Sequence, residues 1–146
     1  MARDVKKIDA KGRFFIPAKL KDKLGSVVVV TNSIDSGYLC VYSQEHYEKE
    51  ILPSFMNPDR NTAVPGFNKV MRTIIGEARE INVDAQGRVS VNSELWENIG
   101  AKPGDEICVF DIGYKLDICT KVFYDHEDHD LSNIVGLETM CYVKGL

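Results

Sequence analysis

Residues 8–17, with the sequence IDAKGRFFIP, decide the fold because the chain uses their pattern twice. The pattern recurs over residues 83–92 as VDAQGRVSVN, 75 positions further on. Each copy contains an apolar strand, an Asp-Ala-x-Gly turn and a second strand that opens with arginine. An aspartate can bond to the backbone at the start of a turn, and a glycine supplies the positive φ that closes a short hairpin. The pattern predicts two hairpins in a duplicated half-domain, since solenoid repeats have shorter periods.

The segments after the two copies follow the same order. Residues 5–8 and 13–16 are predicted to form the arms of the first hairpin, and residues 80–83 and 88–91 those of the second. A short helix, a glycine and two strands are predicted after each hairpin. The strand over 26–31 does not alternate between apolar and polar residues, which predicts that both of its faces are buried.

Two helices are predicted between the repeats. Ser43 is a suitable N-cap for a helix over 44–52, and Pro53 is expected to end that helix. Residues 53–66 contain three prolines and no periodicity, which indicates a loop. The next segment has an apolar stripe at helical spacing, typical of a core or subunit interface rather than a cofactor site: Phe67, Val70, Met71, Ile74, Ile75 and Ala78.

The two Asp-x-x-Gly-Arg motifs, with the segment 72–80 (RTIIGEARE) that leads into the second, resemble the MraZ family. This family is the duplicated member of the AbrB/SpoVT swapped-hairpin superfamily. Its members are bacterial transcription factors encoded at the head of the division and cell-wall gene cluster. The resemblance covers about residues 3–119. It implies an α+β fold: a β-rich double swapped-hairpin (AbrB-like) pseudo-symmetric domain with flanking short helices.

The same resemblance implies four segments. Residues 1–52 form the first AbrB-like hairpin half, and residues 53–79 form a loop and an amphipathic connecting helix. Residues 80–119 form the second AbrB-like hairpin half, and residues 120–146 form an acidic C-terminal tail. Family members usually have a charged helix in this last region, after a strand that ends in an aromatic residue. This chain has Cys119 at that position, so the resemblance thins toward the tail.

The composition is that of a soluble globular protein, with 44% hydrophobic and 27% charged residues. No apolar run approaches the roughly 18 residues that a membrane helix needs. The N-terminal residues lack the apolar core of a signal peptide, so we expect a cytoplasmic protein. The four cysteines form no C-x-x-C pair and are predicted to be free buried thiols: Cys40, Cys108, Cys119 and Cys141.

The formal net charge of −4 is unevenly distributed. Residues 1–23 hold eight basic and three acidic residues, a net charge of +5. Residues 111–146 hold seven acidic and three basic residues, a net charge of −4. Phosphate recognition depends on the local field rather than on the molecular total. The acidic total therefore does not exclude DNA binding.

The candidate DNA-binding residues are the two motif arginines and the lysines around the first of them. Arg13 and Arg88 are predicted to sit at equivalent hairpin tips, where a guanidinium can fork onto a phosphate or onto guanine O6 and N7. Four lysines are predicted to surround Arg13 and to add phosphate contacts: Lys6, Lys7, Lys11 and Lys19. The resemblance favours DNA contact for both arginines. It does so more strongly for Arg13, because the second hairpin is not basic.

Two structural alternatives stay open for these basic residues. Arg13 and Arg88 can instead pair with Asp9 and Asp84 and only brace the turns. The lysine run at positions 19, 21 and 23 can equally be an ordinary solvated helix face. The remaining motif residues are assigned to building the turns: Asp9, Gly12, Asp84 and Gly87.

Metal and enzyme chemistry find little support in the sequence. His126 and His129 have an i, i+3 spacing among aspartates that suits a divalent metal. An acidic solvated tail is the favoured interpretation, and no metal is predicted. No Gly-rich phosphate loop, G-x-S-x-G or H-E-x-x-H motif occurs. We therefore expect no enzyme.

The resemblance implies a sequence-specific DNA-binding regulator, acting mostly as a repressor, of the division and cell-wall gene cluster. It implies a nucleoid-associated ring homo-oligomer that binds repeated promoter boxes upstream of its own operon. It implies no cofactor, small-molecule substrate or membrane partner. One alternative is an AbrB-like regulator or antitoxin whose tail binds a protein partner. Another is a non-DNA interaction scaffold whose arginine tips bind acidic protein surfaces.

Overall fold

The computed structural model describes residues 2–57, 65–137 and 143–144, and within them eight strands form two antiparallel sheets. The predicted thiol of Cys141 and part of the predicted loop over 53–66 lie outside these residues. The strands are β1 (Arg3–Lys7), β2 (Arg13–Phe15), β3 (Val27–Asn32), β4 (Leu39–Ser43), β5 (Arg79–Asn82), β6 (Arg88–Ser90), β7 (Glu106–Asp111) and β8 (Leu116–Thr120).

Short helices connect the strands. The α-helical segments are Lys21–Leu24, Gln44–His46, Leu52–Phe55, Phe67–Val70, Ser93–Asn98 and Lys121–His126. The segments Tyr47–Ile51 and Met71–Gly76 have π-helical geometry, and Ala18–Leu20 and Leu131–Asn133 are 3-10 turns.

The two arms of each motif do not pair with each other. β1 pairs with β7 and β2 pairs with β6, while β5, the equivalent of β1, pairs with β3. The prediction of two self-paired hairpins is therefore wrong in its pairing, because every arm pairs with the opposite half of the chain. An isolated hairpin is at best marginally stable in water. Exchange of the arms lets each strand bury its apolar face against a wider sheet.

The exchange gives the chain an internal two-fold symmetry. The larger sheet has the order β1-β7-β8-β4-β3-β5, which is unchanged when the two repeats are interchanged. The register repeats as well, since Asp4 is opposite Val109 and its equivalent Arg79 is opposite Val30. The second sheet contains only β2 and β6, and we call this pair the ribbon. The predicted α+β, double swapped-hairpin fold is confirmed.

Apolar layers cover both faces of the larger sheet. On one face, Val28 and Val30 of β3 belong to a cluster with Phe14 and Val89 of the ribbon. On the other face, Val29 belongs to a second cluster, which contains Tyr42 and Tyr47 and against which Ile75 and Ala78 pack. The ribbon and the connecting helices therefore lie on opposite sides of the sheet. This arrangement confirms the prediction that the apolar strand after the first motif is buried on both faces.

The helix after β4 extends further than the sequence predicts. It begins as expected, with the Ser43 hydroxyl accepting a hydrogen bond of 3.1 Å from the His46 backbone N–H. It then continues through Tyr47–Ile51 and past Pro53 to Phe55. Pro53 is the second residue of the helical segment Leu52–Phe55, which follows the π-helical segment Tyr47–Ile51 without a break. The prediction that Pro53 ends the helix is therefore wrong.

The division of the chain at residues 52, 79 and 119 stays a prediction. The strands of segments 1–52 and 80–119 are interleaved in both sheets. No helix among the described residues has the length and apolar character needed to cross a membrane.

Candidate nucleic-acid interface

The first motif folds into a turn that its own aspartate organises. Asp9 Oδ1 accepts hydrogen bonds of 2.9 Å from the backbone N–H groups of Lys11 and Arg13. Asp9 Oδ2 accepts a bond of 2.7 Å from Arg13 Nε. Gly12 has a φ of +78° and donates its N–H to the Asp9 carbonyl oxygen at 3.0 Å. The aspartate thus fixes both the turn and the direction of the arginine.

The second turn repeats this geometry. Asp84 Oδ1 accepts from the backbone N–H groups of Gln86 at 2.9 Å and Arg88 at 2.8 Å, and Asp84 Oδ2 accepts from Arg88 Nε at 2.7 Å. Gly87 has a φ of +84°. In both turns the aspartate accepts the hydrogen bonds and the glycine has a positive φ; the assignment of these four residues to turn formation stays a prediction.

Hydrogen bonding sets the charge of both aspartates. The backbone N–H of Arg13 is the largest influence that lowers the pKa of Asp9, and the backbone N–H of Arg88 does the same for Asp84. The arginine side chains lower both pKa values further. Both carboxyl groups are therefore ionised at neutral pH, and each carries a guanidinium partner.

The arginines brace their turns and keep part of each guanidinium available. Within the described parts of the chain, no hydrogen bond involves the Nη groups of Arg13 or Arg88. Since Nε is held by the carboxylate, the two Nη groups form the edge that can fork onto a phosphate or a guanine. The alternative that the arginines brace their turns accounts for the bond at Nε. It does not involve the edge formed by the two Nη groups. DNA contact by either arginine stays a prediction.

The ribbon places both arginines on one outward surface. Arg13 is directly opposite Ser90, and Phe15 is directly opposite Arg88. Side chains directly opposite each other share a face of an antiparallel pair, and the intervening Phe14 is buried against the core. The rise of two residues, about 7 Å, separates the two arginines along the strands. We call the four outward side chains of the ribbon its outer face: Arg13, Phe15, Arg88 and Ser90.

The two predicted hairpin tips are joined by one ribbon. Because β2 pairs with β6, the two tips become the two ends of a single face. A surface built this way presents two guanidinium groups to one ligand.

Each turn is also held by the opposite half of the chain. The Gly12 carbonyl oxygen accepts from Trp96 Nε1 at 2.9 Å and from the Val91 N–H at 3.2 Å. The Gly87 carbonyl oxygen accepts from the Ile16 N–H at 2.9 Å. Trp96 and Lys21 are equivalent residues of the two repeats, and Lys21 lies against Gly87: a Cβ built on that glycine would be 2.4 Å from Lys21 Cε. The first half therefore brings a lysine to the second turn.

The predicted lysines are spread over both turns. Lys11 is exposed within the first turn, and Lys6 and Lys7 lie on β1, which leads into that turn. Lys19 is exposed in the 3-10 turn between Ile16 and Lys21, the residues that reach Gly87. The structure therefore gives basic neighbours to both turns and not to Arg13 alone.

The histidine pair of the tail is occupied by backbone contacts. His126 Nδ1 lies 2.8 Å from the Val122 carbonyl oxygen, and His129 Nε2 lies 2.9 Å from that of Tyr124. The residues that the structure describes contain no group of three or more His, Cys, Asp or Glu side chains placed to hold a metal.

Comparison with known proteins identifies the family. The family model described as "MraZ protein, putative antitoxin-like" matches residues 3–63. Transcriptional regulator MraZ of Lactobacillus helveticus is 31% identical over 131 residues, which cover 84% of this chain and 86% of the relative. Transcriptional regulator MraZ of Carboxydothermus hydrogenoformans is 31% identical over 123 residues, covering 82% and 79%. This chain belongs to the MraZ family.

Membership of the MraZ family confirms the resemblance inferred from the two motifs. A further relative, transcriptional regulator MraZ of Lachnoclostridium phytofermentans, is 29% identical over 123 residues, covering 84% of this chain and 82% of the relative. The shared name of these relatives describes transcription regulation, which is not a class of enzyme.

Two residues at this MraZ-family site, Phe15 and Trp96, are not predicted from the sequence to belong to it. The sequence places Phe15 only in a strand and Trp96 only in a helix, and it includes Lys21 only in the basic run at positions 19, 21 and 23. Alignment of the two repeats could have found Lys21 and Trp96, since both follow their motif arginine by eight positions. The period of two in a strand could have placed Phe15 on the same face as Arg13.

Proposed function

We propose that this MraZ-family chain is a sequence-specific DNA-binding transcriptional regulator whose DNA contact is the outer face of the ribbon. One observation carries the proposal: Arg13 and Arg88 lie on the same outward face of one two-stranded ribbon. The major groove of B-DNA admits a two-stranded β-ribbon, and arginine forks onto guanine O6 and N7 there. An enzyme would need a different arrangement, with a nucleophile or an acid–base pair at the site.

Charge supports this assignment. The aspartates neutralise part of the arginine charge, and Lys11 in the first turn and Lys21 beside the second add positive charge next to each arginine. Lysines in such positions favour phosphate contacts, which orient a protein on the duplex without recognising its sequence. We propose that Lys6, Lys7, Lys11 and Lys19 serve in this way.

The finer properties of the proposal follow the family resemblance. We propose a ring homo-oligomer that binds repeated boxes upstream of its own operon in the division and cell-wall cluster. Repression there, and location at the nucleoid in the cytoplasm, complete the proposal. A single ribbon offers two arginines, so its affinity is modest. In an oligomer, once one ribbon is bound to its box, the other ribbons bind the neighbouring boxes intramolecularly. This raises the overall affinity.

Fluorescence-anisotropy titration against the duplex upstream of the protein's own gene tests the proposal. A scrambled duplex is the reference, and two salt concentrations give the salt slope. We expect Arg13→Ala and Arg88→Ala each to lose about 1–3 kcal/mol of binding to the upstream duplex, as an arginine fork onto guanine does. Wild-type affinity should fall steeply with salt because counterions are released.

Arg72→Ala is the matched control. It removes one positive charge from an exposed residue of the connecting helix. That helix packs on the side of the sheet away from the ribbon, so we expect this variant to bind like the wild type. Equal losses in Arg72→Ala and Arg13→Ala, or no preference of the wild type for the upstream duplex, would refute the ribbon as the DNA contact.

The matched family description gives a second candidate. Its words "antitoxin-like" favour an AbrB-like regulator that also binds a protein partner, and we propose the tail as the binding segment. Residues 120–146 differ in character from the rest, with a net acidic charge. Full-length protein that co-purifies with a host protein, and loses it when residues after position 120 are removed, would favour this candidate. DNA binding by the ribbon is common to both.

A further inference from the structure

An exposed phenylalanine lies on the ribbon's outer face, at the end of β2. Phe15 is 47% exposed, although Phe14 beside it is 1% exposed. Its partner across the ribbon is Arg88, and Arg13 precedes it by two positions on the same face. This apolar ring lies beside both guanidinium groups and outside the core, so it is available for contact with a ligand of the outer face.

This phenylalanine also breaks the internal symmetry. Arg13 of the first motif corresponds to Arg88 of the second, and Phe15 corresponds to Ser90. The outer face therefore has two equivalent arginines. At the other pair of equivalent positions it has an apolar ring, from Phe15, and a hydroxyl, from Ser90. A ligand that contacts this face meets different chemistry at its two ends.

We propose that Phe15 contacts the C5-methyl group of a thymine and so gives each DNA box a direction. This inference rests on the proposed function and deepens it by naming a base. In the major groove the thymine methyl is the apolar group of the base edges, and phenylalanine is one of the side chains that contact it. Arg88 across the ribbon and Arg13 along the same strand contact the neighbouring guanines or phosphates. Ser90 faces the other half of the box and has no methyl preference.

Charge favours nucleic acid as the occupant of this face. A second copy of the chain seated on Phe15 would also cover Arg13 and Arg88. Burial of a charge without a new partner is unfavourable, and the carboxylates of the turns already serve the arginine Nε atoms. A polyanion supplies both the acceptors for the Nη groups and an apolar methyl between them.

Replacement of thymine by deoxyuridine tests the contact, because it removes the methyl and changes nothing else on the base. Each thymine of the upstream duplex is replaced in turn, and affinity is measured by fluorescence anisotropy. For the wild type we expect one position per box where the replacement weakens binding roughly fourfold, the effect of one buried methyl. Phe15→Ser should bind the thymine duplex and the deoxyuridine duplex with equal affinity. Its affinity should still decrease with salt and on replacement of Arg13.

Val122→Ser is the control, since Val122 is an exposed apolar residue outside the ribbon, on the helix Lys121–His126. It should keep the fourfold thymine preference. The inference is overturned if no thymine shows the effect in the wild type, or if Phe15→Ser retains it. A smaller oligomer for Phe15→Ser in analytical ultracentrifugation also overturns the inference, because the phenyl group of Phe15 would then belong to a subunit contact.

The two proposals fail in different ways. Wild-type protein that binds neither duplex defeats the proposed function, and the thymine contact falls with it. Wild-type protein that binds the upstream duplex through Arg13, with no loss at any deoxyuridine, defeats the thymine contact alone.

Discussion

The carboxylate of Asp9 has two roles, because one oxygen closes the turn and the other holds Arg13. Oδ1 accepts two backbone N–H groups, and Oδ2 accepts the arginine Nε. The same division of roles occurs at Asp84. A turn built in this way presents its arginine in one orientation before any ligand arrives, which reduces the entropy lost on binding.

We expect the turns to lose stability in acid. The pKa of Asp9 and of Asp84 is lowered from the ordinary value of 3.8, so each contributes stability at pH values above 3.8. That contribution decreases as the pH falls below 3.8 and is lost below the lowered folded-state pKa. Thermal unfolding is measured at pH values from 6 to 2.5. We expect the midpoint temperature to decrease as the pH falls below 3.8. The decline should be shallower in Asp9→Asn, which carries no titrating carboxyl at that position; an unchanged profile would contradict the assignment.

Alanine at the two motif glycines should have unequal effects. Both glycines have positive φ values, +78° at Gly12 and +84° at Gly87, so either substitution strains the backbone by about 1–2 kcal/mol. A Cβ on Gly12 would also lie 3.2 Å from the backbone oxygen of Val91, which cannot move easily. A Cβ on Gly87 meets the end of the flexible Lys21 side chain.

Urea denaturation measures this difference. Gly12→Ala should lose more unfolding free energy than Gly87→Ala. The second substitution should instead displace Lys21 and weaken DNA binding. Equal losses in stability would show that the contact with Val91 does not matter.

At the scale of elements, the ribbon is held to the rest of the chain by Trp96. Its ring packs edge-to-face on Phe14, with 6.0 Å between ring centroids, and its Nε1 donates to the Gly12 carbonyl oxygen. One residue of the Ser93–Asn98 helix thus fixes both the inner face of β2 and the first turn. The equivalent Lys21 only lies over the second turn and is exposed.

Substitution of these two equivalent residues should separate stability from binding. Trp96→Phe loses one buried hydrogen bond and some packing volume, and we expect a loss of about 1–3 kcal/mol in unfolding free energy. Lys21→Ala is an exposed surface change and should stay within about 0.5 kcal/mol of the wild type. Chemical denaturation measures the first effect.

DNA titration measures the effect of Lys21→Ala on binding. Lys21→Ala should bind the upstream duplex more weakly with a smaller salt slope, since one phosphate contact is removed. A large stability loss in Lys21→Ala would show that this lysine is structural.

At the scale of the whole molecule, the two repeats cannot be separated into independent units. β1 of the first repeat pairs with β7 of the second, β5 of the second pairs with β3 of the first, and β4 pairs with β8 at the centre. The buried cluster under the ribbon draws residues from both repeats. Such shared burial predicts a single cooperative unfolding transition.

The single tryptophan allows this cooperativity to be measured. Trp96 lies in the second repeat, and Leu39, which is fully buried, lies in the first. Leu39→Ala should destabilise the protein by about 2–5 kcal/mol. Tryptophan fluorescence and far-ultraviolet circular dichroism should report the same lowered midpoint. A fluorescence midpoint that stays at the wild-type value, while the dichroism midpoint falls, would show that the repeats unfold separately.

The sequence predicted the elements better than their partners. The repeated motif predicts the positions of both turns, and apolar patterns predict the buried strand after the first motif and the stripe of the connecting helix. No pattern in the sequence predicts the pairing of the arms or the extent of the helix past Pro53. Membership of the MraZ family, with its swapped hairpins, supplied the fold class that pattern and spacing could not give.

The sequence by itself determined how each aspartate closes its turn, because the bonds that the aspartate accepts come from groups no more than four positions away. Asp9 finds its partners at Lys11 and Arg13, and Asp84 finds its own at Gln86 and Arg88. Only the tertiary structure decided that Phe15 and both arginines share one surface. The backbone hydrogen bonds of a sheet can form with any strand. The choice of partner therefore depends on which pairing buries the apolar faces of the whole chain together, and that choice is not local.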